Sequence, residues 1–213
     1  MVESYGMDLF EQVKRSRTFG NLRRRFGLSQ KAVLDVGSSE GHYLANFGQG
    51  SVGVTIIPEH VEEALRRGLT VVLKNVEDPA FDMGQKFDIV WANNFFEHMN
   101  APHLFAAKMR EQLKDDGLLI LGVPVIPFFS FLTRFRKFRG AYAVSHVNYF
   151  TRRTLIETVR SGGWEVQEAR AFYFAGPFLD SLLNPIAPHI YVVAKAKKDF
   201  AYAHKRLLSL KGY

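Results

Sequence analysis

The segment Val33-Leu34-Asp35-Val36-Gly37-Ser38-Ser39-Glu40-Gly41 constrains this chain more than any other. The apolar run Ala32–Val36, interrupted only by Asp35, ends on a glycine, so it reads as a buried strand closing in a tight turn. Gly37 lets the chain turn without a Cβ penalty, and Gly41 opens the next element, expected to be a helix over 41–47. A loop leaving the carboxyl end of a strand in an open α/β sheet is where such sheets bind ligands. A helix start there also presents free N–H groups. The spacing matches neither the G-x-G-x-x-G dinucleotide fingerprint nor a G-x-x-x-x-G-K-[ST] phosphate loop. By itself it is equally an ordinary strand–helix turn.

The rest of the chain places that turn in a repeating frame. Further strands are predicted at Ser51–Ile57, Leu69–Leu73, Phe87–Ala92 and Leu118–Val123, the last preceded by the turn Asp115-Asp116-Gly117 and ended by Pro124 and Pro127. Helices are predicted between them, from Pro58 to about Arg67 and from Pro102 to Lys114, each opened by a proline at its favoured first position. Thr151–Ser161 reads as a helix with Thr151 as N-cap and Gly162-Gly163 as its stop. Trp164–Phe174 and Ile190–Ala196 read as two late strands forming an antiparallel edge hairpin. Residues 7–26 form an amphipathic pattern that Gly20 can interrupt and Gly27 ends. Strands alternating with helices in this way imply a mainly parallel sheet with right-handed crossovers and helices on both faces.

Composition narrows the function classes. There is no cysteine, which removes disulfides, thiolate nucleophiles and cysteine-bound zinc together. No apolar run reaches the roughly 18–20 residues of a membrane-spanning helix. Met1-Val2-Glu3-Ser4-Tyr5 has no basic region leading into an apolar one, so no secretory signal is expected and a cytoplasmic location is compatible. The net charge is +7. It is unevenly placed, since residues 32–120 are acidic while 1–31 and 121–213 are basic. Basic flanks suit solubility, or contact with anionic lipid or nucleic acid.

Six segments in order resemble the class I S-adenosylmethionine-dependent methyltransferases, especially the small-molecule type. They are Val33–Gly41, Gly53–Glu59, Lys74–Asp78, Phe87–His98, Leu113–Leu121 and His146–Thr151. The resemblance covers residues 30–197. It implies a Rossmann-like methyltransferase fold with a seven-stranded, mainly parallel sheet, and S-adenosylmethionine as cofactor. On this reading the chain is one domain. Residues 1–29 are a helical extension, 30–124 the cofactor-binding half, 125–145 a lid insertion, 146–198 the rest of the sheet and 199–213 a basic tail, read as helix or coil from 199 to 211.

The resemblance also assigns roles. Asp35 would orient the loop or meet the methionine ammonium. Gly37, Ser38 and Ser39 would pass their backbone beside the methionine, with Gly41 behind them. Thr55 and Ile56 fall where the ribose is held, Asn75 and Val76 beside adenine, and Asn93 on the methionine side. Asp35 and Asn75 equally suit turn-capping roles. Two departures weaken the pattern. Ser39 stands where the family has a third glycine, and Thr55 where it has an acidic residue that grips both ribose hydroxyls. A lost charge-assisted bond there is worth roughly 1.5–3 kcal/mol, for which Glu40 or Glu59 would have to compensate.

Methyl transfer is an in-line displacement, so positioning supplies much of the rate. A general base is needed only for a weakly acidic acceptor. The candidates are His98 and His146, each equally readable as a structural histidine. Glu97 could brace a loop. No H-E-x-x-H or similarly spaced cluster is present, so no metal is expected. The Phe- and Arg-rich stretch 128–140, if helical, presents Phe128, Phe131, Leu132, Phe135 and Phe138 as one stripe. It suits a lid over an apolar or anionic acceptor, a membrane-surface helix, aromatics and arginines stacking on nucleic-acid bases, or a helix packed on its own domain. The activity expected is methylation of a small molecule. The alternative is a methyltransferase-like binding module that has lost its cofactor.

Overall fold

The computed structural model of the chain describes residues 8–201. β1 (Val33–Val36), β2 (Val52–Thr55), β3 (Val71–Leu73), β4 (Phe87–Asn93) and β5 (Leu113–Ile126) run parallel in one sheet. The two-residue β6 (Phe150–Thr151) pairs in parallel with the end of β5. β7 (Trp164–Arg170) and β8 (His189–Ala196) are antiparallel to each other, and β8 is antiparallel to β5. The order β3-β2-β1-β4-β5-β8-β7 makes this the mainly parallel α/β sheet that the alternation of elements predicts, with the antiparallel hairpin at one edge. The helices are α1 (Leu9–Arg15), α2 (Arg17–Phe26), α3 (Pro58–Arg66), α4 (Pro102–Met109), α5 (Arg152–Ser161) and α6 (Pro177–Leu183).

Side chains alternate across a strand with period two, and this sorts the core. Val33, Ile89, Trp91 and Ile120 share one face with Phe19 and Leu22 of α2. Leu34, Val36, Val90, Ala92 and Leu121 share the other with Phe105 and Met109 of α4 and Leu155 and Val159 of α5. Burying each of the larger side chains contributes about 1.5–3 kcal/mol. The same alternation sends Asp35 and Asn93 to the α2 face, at the carboxyl ends of neighbouring strands.

Several local expectations are corrected. No α-helix spans 41–47; turns lead into a single 3-10 turn at Leu44–Asn46. Ser39 and Gly41 both take positive φ, +50° and +91°, which prevents a helix from starting there. Phe19 of α2 packs edge-on against Trp91 and Phe47 instead, covering the sheet face. The N-terminal pattern breaks at Ser16 rather than Gly20, because Ser16 ends α1 and caps α2 by accepting from the Phe19 amide. Gly27 ends α2 in the left-handed conformation, as expected. α4 stops at Met109, and β5 begins at Leu113 and runs through Pro124 to Ile126. β4 ends opposite Gly122, so Pro124 lies where β5 is no longer paired on both sides. Residues 128–140 form 3-10 turns, not an amphipathic α-helix. The capping box of Thr151 and Thr154 opens α5 and Gly162 closes it. β7 ends at Arg170, short of the predicted Phe174. Residues 202–213, which include most of the predicted basic tail, lie outside the described residues.

Candidate functional site

At the carboxyl end of β1 the chain turns through Gly37, Ser38, Ser39 and Gly41. Gly37 takes φ +71°, a conformation that costs glycine nothing. Ser39 takes φ +50°, so the serine is held where glycine is ordinarily easier. Ser38 is buried and turned towards β2. A Cβ on Gly53 would come within 2.5 Å of its hydroxyl oxygen, so the bare glycine of β2 makes room for it. The Gly37 and Ser38 amides both donate to the Val54 carbonyl, tying the loop to β2.

Two cavities flank this loop and share Gly37, Ser39 and Asn94. The first, about 420 Å³, lies on the α2 side, between α1 and the ends of β1 and β4. Asp35 and Asn93 line it with Tyr43 and His42. The Asp35 carboxyl is buried and touches the Leu44 amide, while its Oδ2 has no partner. Burial pushes its pKa up from 3.8 to about 8. Asn93 donates through Nδ2 to the Tyr43 hydroxyl at 3.1 Å, and its Oδ1 is likewise buried and unpartnered. A buried acceptor without a partner is costly unless a donor arrives, and an ammonium group at the cavity would be such a donor for Asp35; Asn93 Oδ1 lies instead against Gly122.

The second cavity, about 430 Å³, lies over the ends of β2 and β3. Thr55, Ile56, Asn75 and Val76 line it, so the positions expected to face ribose and adenine are together. The Thr55 hydroxyl accepts from the Ile57 amide and lies 3.2 Å from His60 Nδ1. Neither Glu40 nor Glu59 lines this cavity; His60 and Glu77 do. Glu40 lies 3.4 Å from His42 on the other side of the loop. Glu77 is engaged with the Asn100 amide and side chain. Asn75 Oδ1 accepts from the Glu77 amide, which is the turn role, and keeps one lone pair free. Phe95 was missed by sequence reasoning. Its ring lies against Gly37, so close that a Cβ there would be 2.2 Å from it, and it lines the second cavity. Its position follows from Asn94, which turns the chain at φ +51° just after β4.

Below Phe95, the 3-10 turn Phe96–His98 brings Glu97 and His98 to His146. Glu97 is fully buried, and neither carboxylate oxygen meets a donor from another residue. Burial pushes its pKa up to about 7. Its Oε1 lies 3.7 Å from His146 Nε2 and 4.0 Å from His98 Nε2, and the two rings are 4.8 Å apart, edge to face. The two histidines expected separately as bases therefore form one cluster. Sequence spacing carried no sign of it, because His146 arrives from beyond β5. His189 was also missed; it meets Asn94 Oδ1 at 2.9 Å, and burial pushes its pKa down to about 4.

Comparison with known proteins bears on the family and the fold. The family model described as methyltransferase domain matches residues 10–169. A comparison with curated proteins finds no match. Among solved structures, the chain is similar to an S-adenosylmethionine-dependent methyltransferase from Clostridium acetobutylicum. The TM-score is 0.63 at 11% identity, over 90% of this chain and 93% of that one. It is similar to a TehB-like SAM-dependent methyltransferase from Corynebacterium glutamicum, with TM-score 0.61 and 14% identity over 88% and 94% of the two chains. It also resembles a chain in the complex between the Haloferax volcanii Trm112 methyltransferase activator and a methyltransferase described there as putative. That TM-score is 0.63 at 16% identity, over 90% and 94% of the two chains.

Proposed function

The chain belongs to the methyltransferase domain family, and from that premise we propose that it methylates a small-molecule acceptor bound at the carboxyl ends of its parallel strands. S-adenosylmethionine is the cofactor, and it supplies a methyl group on a positively charged sulfur. The observation that carries the reading is the buried, unpartnered Asp35 Oδ2 beside the Gly37–Ser39 loop. It supports a place for the amino acid ammonium, with Asn93 lining the same cavity. Thr55, with His60 behind it, replaces the usual acidic grip on the ribose. Val76 offers an apolar wall beside the free lone pair of Asn75.

The acceptor side is supported by a third cavity, of about 830 Å³, a size that small-molecule sites commonly have. It lies at the same end of the sheet, beyond the end of β5. Val125, Ile126, Phe128 and Phe129 line it together with Arg152 and Arg153. An apolar body with an anionic group matches that lining. Phe128, Phe131 and Phe135 are exposed beside Arg134, Arg136 and Lys137. That arrangement supports peripheral contact with an anionic lipid surface carrying such an acceptor. Among the described residues no helix is long and apolar enough to cross a membrane.

Calorimetric titration with S-adenosylmethionine tests the cofactor half. The expected result is saturable binding that Asp35→Ala weakens strongly. A folded chain giving no heat at millimolar cofactor would favour the non-catalytic binding module. Transfer of labelled methyl from the cofactor to apolar carboxylates, amines or phenols tests the acceptor half. Label appearing only in nucleic acid or protein would overturn it.

A further inference from the structure

We propose that Glu97, His98 and His146 form a binding site for one divalent first-row transition-metal ion. The positions of the ring protons come first. His98 Nδ1 lies 2.9 Å from the Ser145 carbonyl oxygen, and His146 Nδ1 lies 3.2 Å from the Ala141 carbonyl oxygen. A carbonyl only accepts, so in each ring Nδ1 carries the proton. In the neutral ring, Nε2 then presents a bare lone pair. Both Nε2 atoms face Glu97 Oε1, at 4.0 and 3.7 Å, too far for hydrogen bonds. The Glu97 carboxylate is fully buried, with no donor from another residue. Two imidazole lone pairs and a buried carboxylate thus converge with nothing between them.

A divalent cation at the centre would satisfy all three ligand atoms at once. The three ligand atoms lie within 4.8 Å of one another. Metal–ligand bonds of about 2.0–2.2 Å would need only a small closure. Anchoring Nδ1 on a carbonyl is also how metal-binding histidines are commonly oriented. Two nitrogens and one carboxylate suit zinc, cobalt, manganese or iron(II) better than magnesium or calcium, which prefer all-oxygen sets.

The open side faces the second cavity. His98 is partly exposed and lines the second cavity with Asn94, Phe95 and Met99. A water or ligand oxygen entering there can complete the coordination, and the ion would lower the pKa of that oxygen's proton. The metal site does not depend on the proposed methyltransferase reading.

The test uses the full chain, stripped with chelator and dialysed, without S-adenosylmethionine. Zinc is titrated by calorimetry, and cobalt by its visible absorption, which reports nitrogen and oxygen ligation directly. One equivalent of tight binding is expected, together with a raised melting temperature. His98→Ala changes a partly exposed side chain and should fold normally; it should weaken binding about 100-fold or more. His146→Ala should do likewise, whereas His103→Ala, on α4, should leave binding intact. No stoichiometric binding, or binding that neither His98→Ala nor His146→Ala weakens, overturns the site. Cofactor titration of the same metal-free sample keeps the two ideas separate. Cofactor binding without metal binding defeats this inference alone. Metal binding without cofactor binding defeats the proposed function alone.

Discussion

At the scale of single residues, Asp35 carries the most consequence. Its carboxyl protonates far more readily in the folded chain than in the unfolded one, its pKa raised from 3.8 to about 8. The folded state therefore holds the extra proton across that interval. Stability is fully present below the unfolded pKa and is lost as pH rises through the folded one. The loss is at most about 1.4 kcal/mol per pH unit between roughly pH 4 and 8. Asp35→Asn should flatten this slope, measured by urea melts across pH. Arrival of a cationic ammonium should expel the proton, so cofactor binding near neutral pH should release close to one proton, read from calorimetry in buffers of different ionisation enthalpy. Proton release unchanged in Asp35→Asn would remove Asp35 from that role. Phe95 is the second residue of consequence. Its ring lies on Gly37, which the two cavities share, so a ligand running between them is expected to displace it. Phe95→Ala should tighten cofactor binding about tenfold, the cost of moving a ring into water being about 1.5–3 kcal/mol. Weaker binding would mean that the ring holds the ligand rather than blocking it. Asp35 and Asn93 stood out in the sequence through the family resemblance of their segments, but Phe95 did not. An aromatic after a strand looks like any core residue until its neighbour is known.

At the scale of elements, α2 covers the sheet face beside β1, where no α-helix follows the strand. Its Phe19 is almost fully buried and meets the rings of Tyr43, Phe47 and Trp91 edge-on or nearly so. Phe19→Ala should cost about 3–5 kcal/mol in chemical denaturation. Because Tyr43 also holds Asn93 beside the first cavity, the same change should weaken cofactor binding. A stability loss with cofactor affinity untouched would show that α2 is only a cover. The amphipathic pattern made α2 visible in advance. Its partner was not, because helical periodicity identifies an apolar face without saying what covers it. The 128–140 stretch shows the converse. Its aromatic spacing fits a helical stripe, yet the segment forms short 3-10 turns with Phe128, Phe131 and Phe135 exposed.

At the scale of the whole molecule, charge and exposed aromatics coincide. The chain carries a net +7, and the turns after β5 place phenylalanines beside arginines at the surface. Sedimentation with anionic vesicles should recover the protein at low salt and release it as salt rises, while neutral vesicles should not bind it. Retention that salt does not diminish would assign the contact to apolar insertion alone.

The sequence by itself determined the sheet, its order of strands and helices, the capped α5 and the loop after β1. These rest on local chemistry: the period of apolar residues, prolines at helix starts, glycines at turns. The assignment of Asp35, Thr55, Asn75 and Asn93 to a cofactor site came from the resemblance of the segments that carry them. Only the tertiary structure decided what those residues meet. It turned Asp35 and Asn93 into orphaned acceptors beside one cavity, laid Phe95 on Gly37, and closed His146 onto Glu97 and His98. Such meetings depend on crossovers that bring distant segments together, and a carboxylate's charge depends on the burial they create. Spacing along the chain carries neither.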